Sequence, residues 1–256
     1  MKKTLAIAAI ALFALAGAVG QQRLTTFTNS TKSLQLTFRE FSMVRTDKST
    51  YHFVLTNPGG VVHAISEKQH IEFMAPRMQV DAISVFGKDN EANAIRNATA
   101  SGGIRAIRTG NGGRAEMTGS TAKYSADGAK ASLRIGGPVK LTNTGTGGHG
   151  FTATGSSLVA DLGPSRTFET ATLNGPVRLQ IRQAEQSGQP GLDLVVAASK
   201  LLLDETSKPT TITLSGGVHI NGVGSGMTAE STLSRLVLRL DDQGEVVYMS
   251  GTADQR

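Results

Sequence analysis

Leu173-Asn174-Gly175-Pro176-Val177-Arg178-Leu179 is the stretch on which the fold turns, because the chain repeats it. Ile135-Gly136-Gly137-Pro138-Val139-Lys140-Leu141 aligns with it residue for residue. So do Leu214-Ser215-Gly216-Gly217-Val218-His219-Ile220 and Ala100-Ser101-Gly102-Gly103-Ile104-Arg105-Ala106. A weaker copy starts at Gly59-Gly60-Val61-Val62 and a truncated one at Met249-Ser250-Gly251. The first aligned glycines are then 43, 35, 38, 41 and 35 residues apart. A second motif follows each clear copy, at Ala115 to Ser120, Phe151 to Ser156, Leu194 to Ser199 and Met227 to Thr232, with an imperfect version at Ile71 to Pro76. A unit of this size, repeated in tandem, implies similar strand groups stacked so that each covers its neighbour's apolar face.

Within each copy the side chains alternate. Leu173, Gly175, Val177, Leu179 and Ile181 fall on one face of an extended chain, and Asn174, Pro176, Arg178, Gln180 and Arg182 on the other. Leu133, Ile135, Val139 and Leu141 repeat the apolar face, as do Ile212, Leu214, Val218 and Ile220. After residue 20 no stretch holds apolar residues at helical spacing over three turns, and short alternating runs are broken by Gly, Asn and Asp throughout. The chain is predicted to be all-β, built of antiparallel strands with one wet and one greasy face. The glycine recurring in the apolar register (Gly102, Gly137, Gly175, Gly216) has two readings: a fixed bend in a rolled sheet, or room for acyl chains along an apolar trough.

This series of units, running from about Val61 to Gly251, resembles the organic-solvent-tolerance (OstA)-like domain shared by lipopolysaccharide transport protein A, its membrane-anchored relative protein C and the periplasmic part of the outer-membrane translocon. The resemblance implies a twisted β-jellyroll open along one side, whose interior carries lipid chains, and members that join end to end through terminal strands. It implies a lipid-facing interior register of Ile104, Leu133, Ile135, Val139, Leu141, Leu173, Val177, Leu179, Leu214, Val218 and Ile220, with lipopolysaccharide or a similar anionic amphiphile as the ligand. The mature chain is longer than the typical bridge protein, and residues 21–58 carry no clear copy of the motif.

The N-terminus reads as an export signal. Met1-Lys2-Lys3 is followed by fifteen apolar or small residues, Leu5 to Val19, and by Ala16, Ala18 and Gly20 ahead of Gln21-Gln22. The apolar run is short for a bilayer span, which takes about 20 residues. The organisation is therefore a signal peptide at 1–20, N-terminal strands at 21–58 and the repeat array at 59–256, in a periplasmic protein; an uncleaved anchor in the inner membrane is the alternative. Removing Lys2 and Lys3 from a formal charge of +6 leaves the mature chain at +4. That balance suits anionic partners, and export argues against nucleic acid. With no cysteine, neither disulfides nor thiolate ligands are available.

Catalytic signatures are missing: there is no His-Glu-x-x-His and no Gly-x-Ser-x-Gly, and His52, His63, His70, His149 and His219 are scattered. The Gly-rich stretches at 110–113 and 145–150 lack the Lys-Ser/Thr ending of a phosphate loop and read as hairpin connections. Arg105, Lys140, Arg178 and His219 share one register on the wet face, an ordinary solvated row. At the C-terminus Val246, Val247, Tyr248 and Met249 form a strand that no further unit covers, an edge suited to strand addition by a second copy or a similarly built partner. The reading is a non-catalytic lipid carrier or bridge without cofactor. A structural or adhesive β-repeat scaffold is the alternative, and a β-helix enzyme acting on polysaccharide the lesser one. A carrier leaves an apolar groove; a scaffold packs its interior shut.

Overall fold

The computed structural model describes residues 24–28, 34–47, 50–67, 70–83, 95–110, 113–128, 130–145, 149–164, 168–185, 191–224, 227–242 and 244–253, and the segment 1–20, expected from the sequence to be an export signal, lies outside them. Every regular element among the described residues is a strand. In chain order these are β1 (Thr25–Thr28), β2 (Leu34–Phe38), β3 (Glu40–Arg45), β4 (Thr50–Thr56), β5 (Val62–Ser66), β6 (Ile71–Ala75), β7 (Arg77–Ile83), β8 (Ile95–Gly110) and β9 (Gly113–Asp127). The second half holds β10 (Lys130–Gly136), β11 (Val139–Thr144), β12 (Gly150–Gly155), β13 (Ser157–Leu162), β14 (Phe168–Gln183), β15 (Leu192–Asp204), β16 (Thr210–Gly224), β17 (Met227–Leu240) and β18 (Val246–Thr252). All 18 belong to one antiparallel, hydrogen-bonded sheet of jellyroll-like character. No helix among the described residues is long and apolar enough to cross a membrane.

The sheet is folded along one line. The ladders between β8 and β9, β14 and β15, β15 and β16, and β16 and β17 each carry a register shift at the glycine motif, between Ser101 and Ile104, Asn174 and Val177, Ala197 and Lys200, and Ser215 and Val218. Elsewhere the chain breaks into two strands at the same level: β10 and β11 flank Gly137-Pro138, and β12 and β13 flank Ser156. The pairings on either side of this line form two layers. One runs β3-β4-β7-β8-β9-β10-β13-β14-β15-β16-β17-β18, using only the near half of each long strand. The other runs β1-β2-β5-β6-β8-β9-β11-β12-β14-β15-β16-β17, using the far halves. All crossings between layers lie on the fold line, and the hairpin turns lie on the layers' free margins.

The fold line is built from a glycine on one crossing seated against a serine on the previous one. Gly175 has φ +93°, a conformation that L side chains rarely adopt, and a Cβ there would strike the Ser156 hydroxyl. Gly137 stands in the same relation to Ser120, and Gly216 to Ser199, whose hydroxyl donates to the Gly216 carbonyl at 2.7 Å. The recurring glycine therefore makes the bend; none of the four lines the interior space described below. The alternation around the bend survives, because the bulge leaves Leu173, Val177, Leu179 and Ile181 all at 2% exposure or less while Arg178 and Arg182 face water.

Strands β1 to β4 belong to the same two layers, although they carry no copy of the motif. β2 passes to β3 across the fold line at Arg39, whose amide donates to the Thr56 carbonyl at 3.1 Å.

Candidate functional site

The inner faces of the two layers enclose different things at the two ends of the molecule. In the C-terminal half the opposed residues are large and meet: Leu173, Leu179, Ile181, Ile212, Leu214, Leu236 and Leu238 are each no more than 1% exposed. In the N-terminal half the same register holds alanines, Ala64 on β5, Ala98, Ala100 and Ala106 on β8, and Ala115 and Ala122 on β9. Small side chains on facing layers leave volume that nothing fills, and the result is an apolar cavity of about 1010 Å³. That lies at the upper end of the roughly 300–1,000 Å³ typical of small-molecule sites.

Aromatic and aliphatic side chains form its walls, including Phe53, Met78 and Val80 from one layer and Leu36, Ile71 and Phe73 from the other. At the N-terminal end it reaches the edge strands of both layers, touching Leu24 and Thr25 on one side and Phe41 and Met43 on the other. Leu24 and Phe41 are 54% and 42% exposed, so this end is open and greasy. Toward the C-terminal half the lining stops at Phe151, Leu158, Ala171 and Leu203, where the closed core begins.

The sequence-derived interior register divides accordingly. Leu133 and Leu141 line the cavity. Ile104, Ile135, Val139, Leu173, Val177, Leu179, Leu214, Val218 and Ile220 face inward but are packed into the core at 0–8% exposure, with no surface on the cavity. Parity assigned the correct face; it carried no information on how full that face is. The motif does not mark Phe53, Phe73, Ala98 and Ala106, which do line the cavity: Phe53 precedes its first copy, Phe73 sits in an imperfect one, and an alanine means absent volume only in relation to what lies opposite. The shift from Ala to Leu and Ile along one register is the signal that marks it.

Three charged residues touch the cavity: Arg108, Glu116 and Glu205. Glu116 is held at the side by Arg105, whose Nε and Nη2 donate to its two oxygens at 2.8 and 2.9 Å, and by Arg114 at 3.2 Å. These hydrogen bonds and charges, Arg105's first, hold its carboxyl below the usual range against a smaller desolvation effect. Arg108 and Glu205 sit on the free margins of opposite layers, at the ends of β8 and β15. Apolar walls desolvate the Glu205 carboxylate and raise its pKa, although water reaches it from the margin, and the Arg108 charge opposes that shift.

The row Arg105, Lys140, Arg178 and His219 is real, one residue on every second strand of the outer surface. Arg105 is engaged by Glu116 and the His219 Nδ1 lies 3.1 Å from the Thr232 hydroxyl. No group of three His, Asp or Glu residues among the described residues is placed to hold a metal ion.

At the C-terminal end β18, among the described residues, pairs on one side only, with β17, and leaves Val247, Tyr248 and Met249 at 56%, 46% and 52% exposure, with Val246 half-buried. A register shift beside Leu240 kinks this ladder, and Arg239 lies 5.0 Å over the Tyr248 ring. Among the described residues the opposite end also presents edges paired on one side, β1 in one layer and β3 in the other.

Compared with known proteins, the chain matches no family model, and neither a curated protein nor a solved structure is similar to it.

Proposed function

We propose that this protein is an exported, non-catalytic carrier that holds the acyl chains of an envelope amphiphile between its two layers. The cavity carries the reading: an apolar space of about 1010 Å³, open at its N-terminal end, where alanines such as Ala100 and Ala106 stand at the positions that Leu173 and Leu179 fill in the closed half. Empty apolar volume is costly, since each lost contact forfeits dispersion and burial energy, and a bound lipid tail restores both. Two layers joined along the fold line and sharing no strand along the opposite margin support the OstA-like reading, for which lipopolysaccharide or a similar amphiphile is the ligand. Unpaired strands at both ends support head-to-tail association with a second copy or a similarly built partner, in which main-chain hydrogen bonds supply affinity.

The scaffold reading draws on the closed C-terminal core, where Leu173, Leu179, Leu214, Leu236 and Leu238 are fully packed. Both features coexist if the C-terminal half is the rigid frame and the N-terminal half the container. Mass spectrometry of lipid co-purifying from the native envelope tests the carrier, with photo-crosslinkers at Phe73 and Leu141 expected to capture lipid and those at Arg178 expected to capture none. Equal labelling inside and outside, or a protein free of lipid from every source, leaves the scaffold.

A further inference from the structure

The cavity's charged groups describe the head of its occupant as well as its tail. Nearly all of the wall is apolar, and Glu116 is already neutralised by two arginines. Two charges remain, of opposite sign, on margins that face each other. Arg108 extends from the end of β8 and has no carboxylate within ion-pairing distance among the described residues. Glu205 follows the end of β15, its amide bound to the Glu169 carbonyl at 2.9 Å, which fixes the turn that presents it. Both line the same cavity, one from each layer, and the Arg108 charge acts on the Glu205 carboxylate with no direct ion pair between them. Opposite charges on the margins of an apolar space complement a ligand whose own charges are separated in the reverse sense.

Resting on the lipid-carrier reading, we infer that the cavity takes a zwitterionic glycerophospholipid, with its phosphate at Arg108, its ammonium at Glu205 and its acyl chain among Phe53, Phe73 and Leu36. A ligand carrying only negative charge satisfies Arg108 but meets Glu205 with like charge; a neutral one gains nothing from either residue. The pair therefore selects among amphiphiles that the apolar walls cannot tell apart.

The full-length protein loaded with the fluorescent dye N-phenyl-1-naphthylamine provides the test. Lysophosphatidylethanolamine, lysophosphatidylglycerol and monoacylglycerol of equal chain length are used to displace the dye. The expected order is lysophosphatidylethanolamine ahead of the other two. Arg108→Gln weakens both phospholipids by about fivefold, as for one partly exposed charge pair, and leaves monoacylglycerol unchanged. Glu205→Gln weakens lysophosphatidylethanolamine by a similar factor and does not weaken lysophosphatidylglycerol. Equal displacement by all three, unaffected by either substitution, overturns the head-group assignment while leaving the lipid cavity standing. Displacement by lipopolysaccharide alone overturns it as well. If no amphiphile displaces the dye, the carrier reading fails and this inference falls with it.

Discussion

His149, on the turn between β11 and β12, and Glu245, on the turn between β17 and β18, meet at 3.1 Å across the margin where the layers share no strand. The imidazole is only 4% exposed, and both turns are stiffened by backbone bonds, Gly145 to His149 at 2.8 Å and Asp241 to Glu245 at 3.0 Å. The contact ties the two layers beside the level at which the cavity gives way to the closed core. Glu245→Ala removes a carboxylate from a buried imidazole and should cost about 1–3 kcal/mol. Hydrogen exchange should quicken in β11, β12 and β18 while β8 and β9 keep their protection. Unchanged exchange in β12 and β18 would mean that the pair fastens nothing.

Cavity and core predict opposite phenotypes. Ala106→Phe fills the N-terminal space and should abolish binding of an apolar dye with little loss of stability, since the ring enters empty volume. Leu214→Ala, at 0% exposure in the closed half, should cost about 2–5 kcal/mol and leave dye binding intact. Urea unfolding paired with dye titration separates them; loss of binding in both variants would show that the interior is a single continuous core.

Two glycines on the fold line differ in what an added methyl meets. Gly217 has φ +69° and open space around it, so Gly217→Ala should cost only the left-handed strain of about 1–2 kcal/mol. Gly175→Ala adds a collision with Ser156 and should cost clearly more, part of it recovered in the Gly175→Ala, Ser156→Gly double variant. Equal losses at the two positions, measured by chemical denaturation, would remove the packing argument for the fold line.

Glu205 gives a pH signature. Its folded pKa lies above the ordinary glutamate value of 4.5, so the native state holds this proton more tightly than the unfolded chain does. Stability on its account is full below the ordinary value and is lost as pH rises through the raised one. Glu205→Gln should therefore match the parent under acid conditions and be slightly more heat-stable at neutral pH, the gain kept small by water at the margin. A gain at acid pH and none at neutral pH would reverse the sign and refute the assignment.

Association through β18 is better probed by charge than by deletion. Removing the strand uncovers Leu236, Leu238 and Leu240, now at most 4% exposed, and endangers the fold itself. Val247→Lys with Met249→Lys, both at exposed positions, keeps the strand and blunts its edge. Sedimentation of the parent should show open oligomers growing with concentration, and the double variant should remain monomeric. A parent that stays monomeric at high concentration removes the head-to-tail reading.

Much of the architecture is written locally. The strands follow from alternation such as Leu173, Val177 and Leu179 against Arg178, and the fold line from glycines every 35–43 residues, because pleat and bulge are set by adjacent residues. The cavity follows from a sum over two facing layers. Leu179 and Ala106 occupy equivalent inner positions, and only the size of what lies opposite decides whether the space between is filled. Arg108 and Glu205 are far apart in sequence and unremarkable in composition; they line one cavity only because the layers bring their margins together.

Every ladder joins strands close in sequence; even Ile71 and Arg108, the widest-spanning partners, are separated by about one unit. Low contact order of this kind favours formation by successive addition, each strand laid on a template that already exists. A chain emerging from its N-terminus would thus complete the walls of the cavity, as far as β14 and β15, before β17 and β18 arrive to seal the far end. The container is assembled first and its frame last, so an amphiphile encountered during folding could itself become part of the surface on which the remainder of the chain is built.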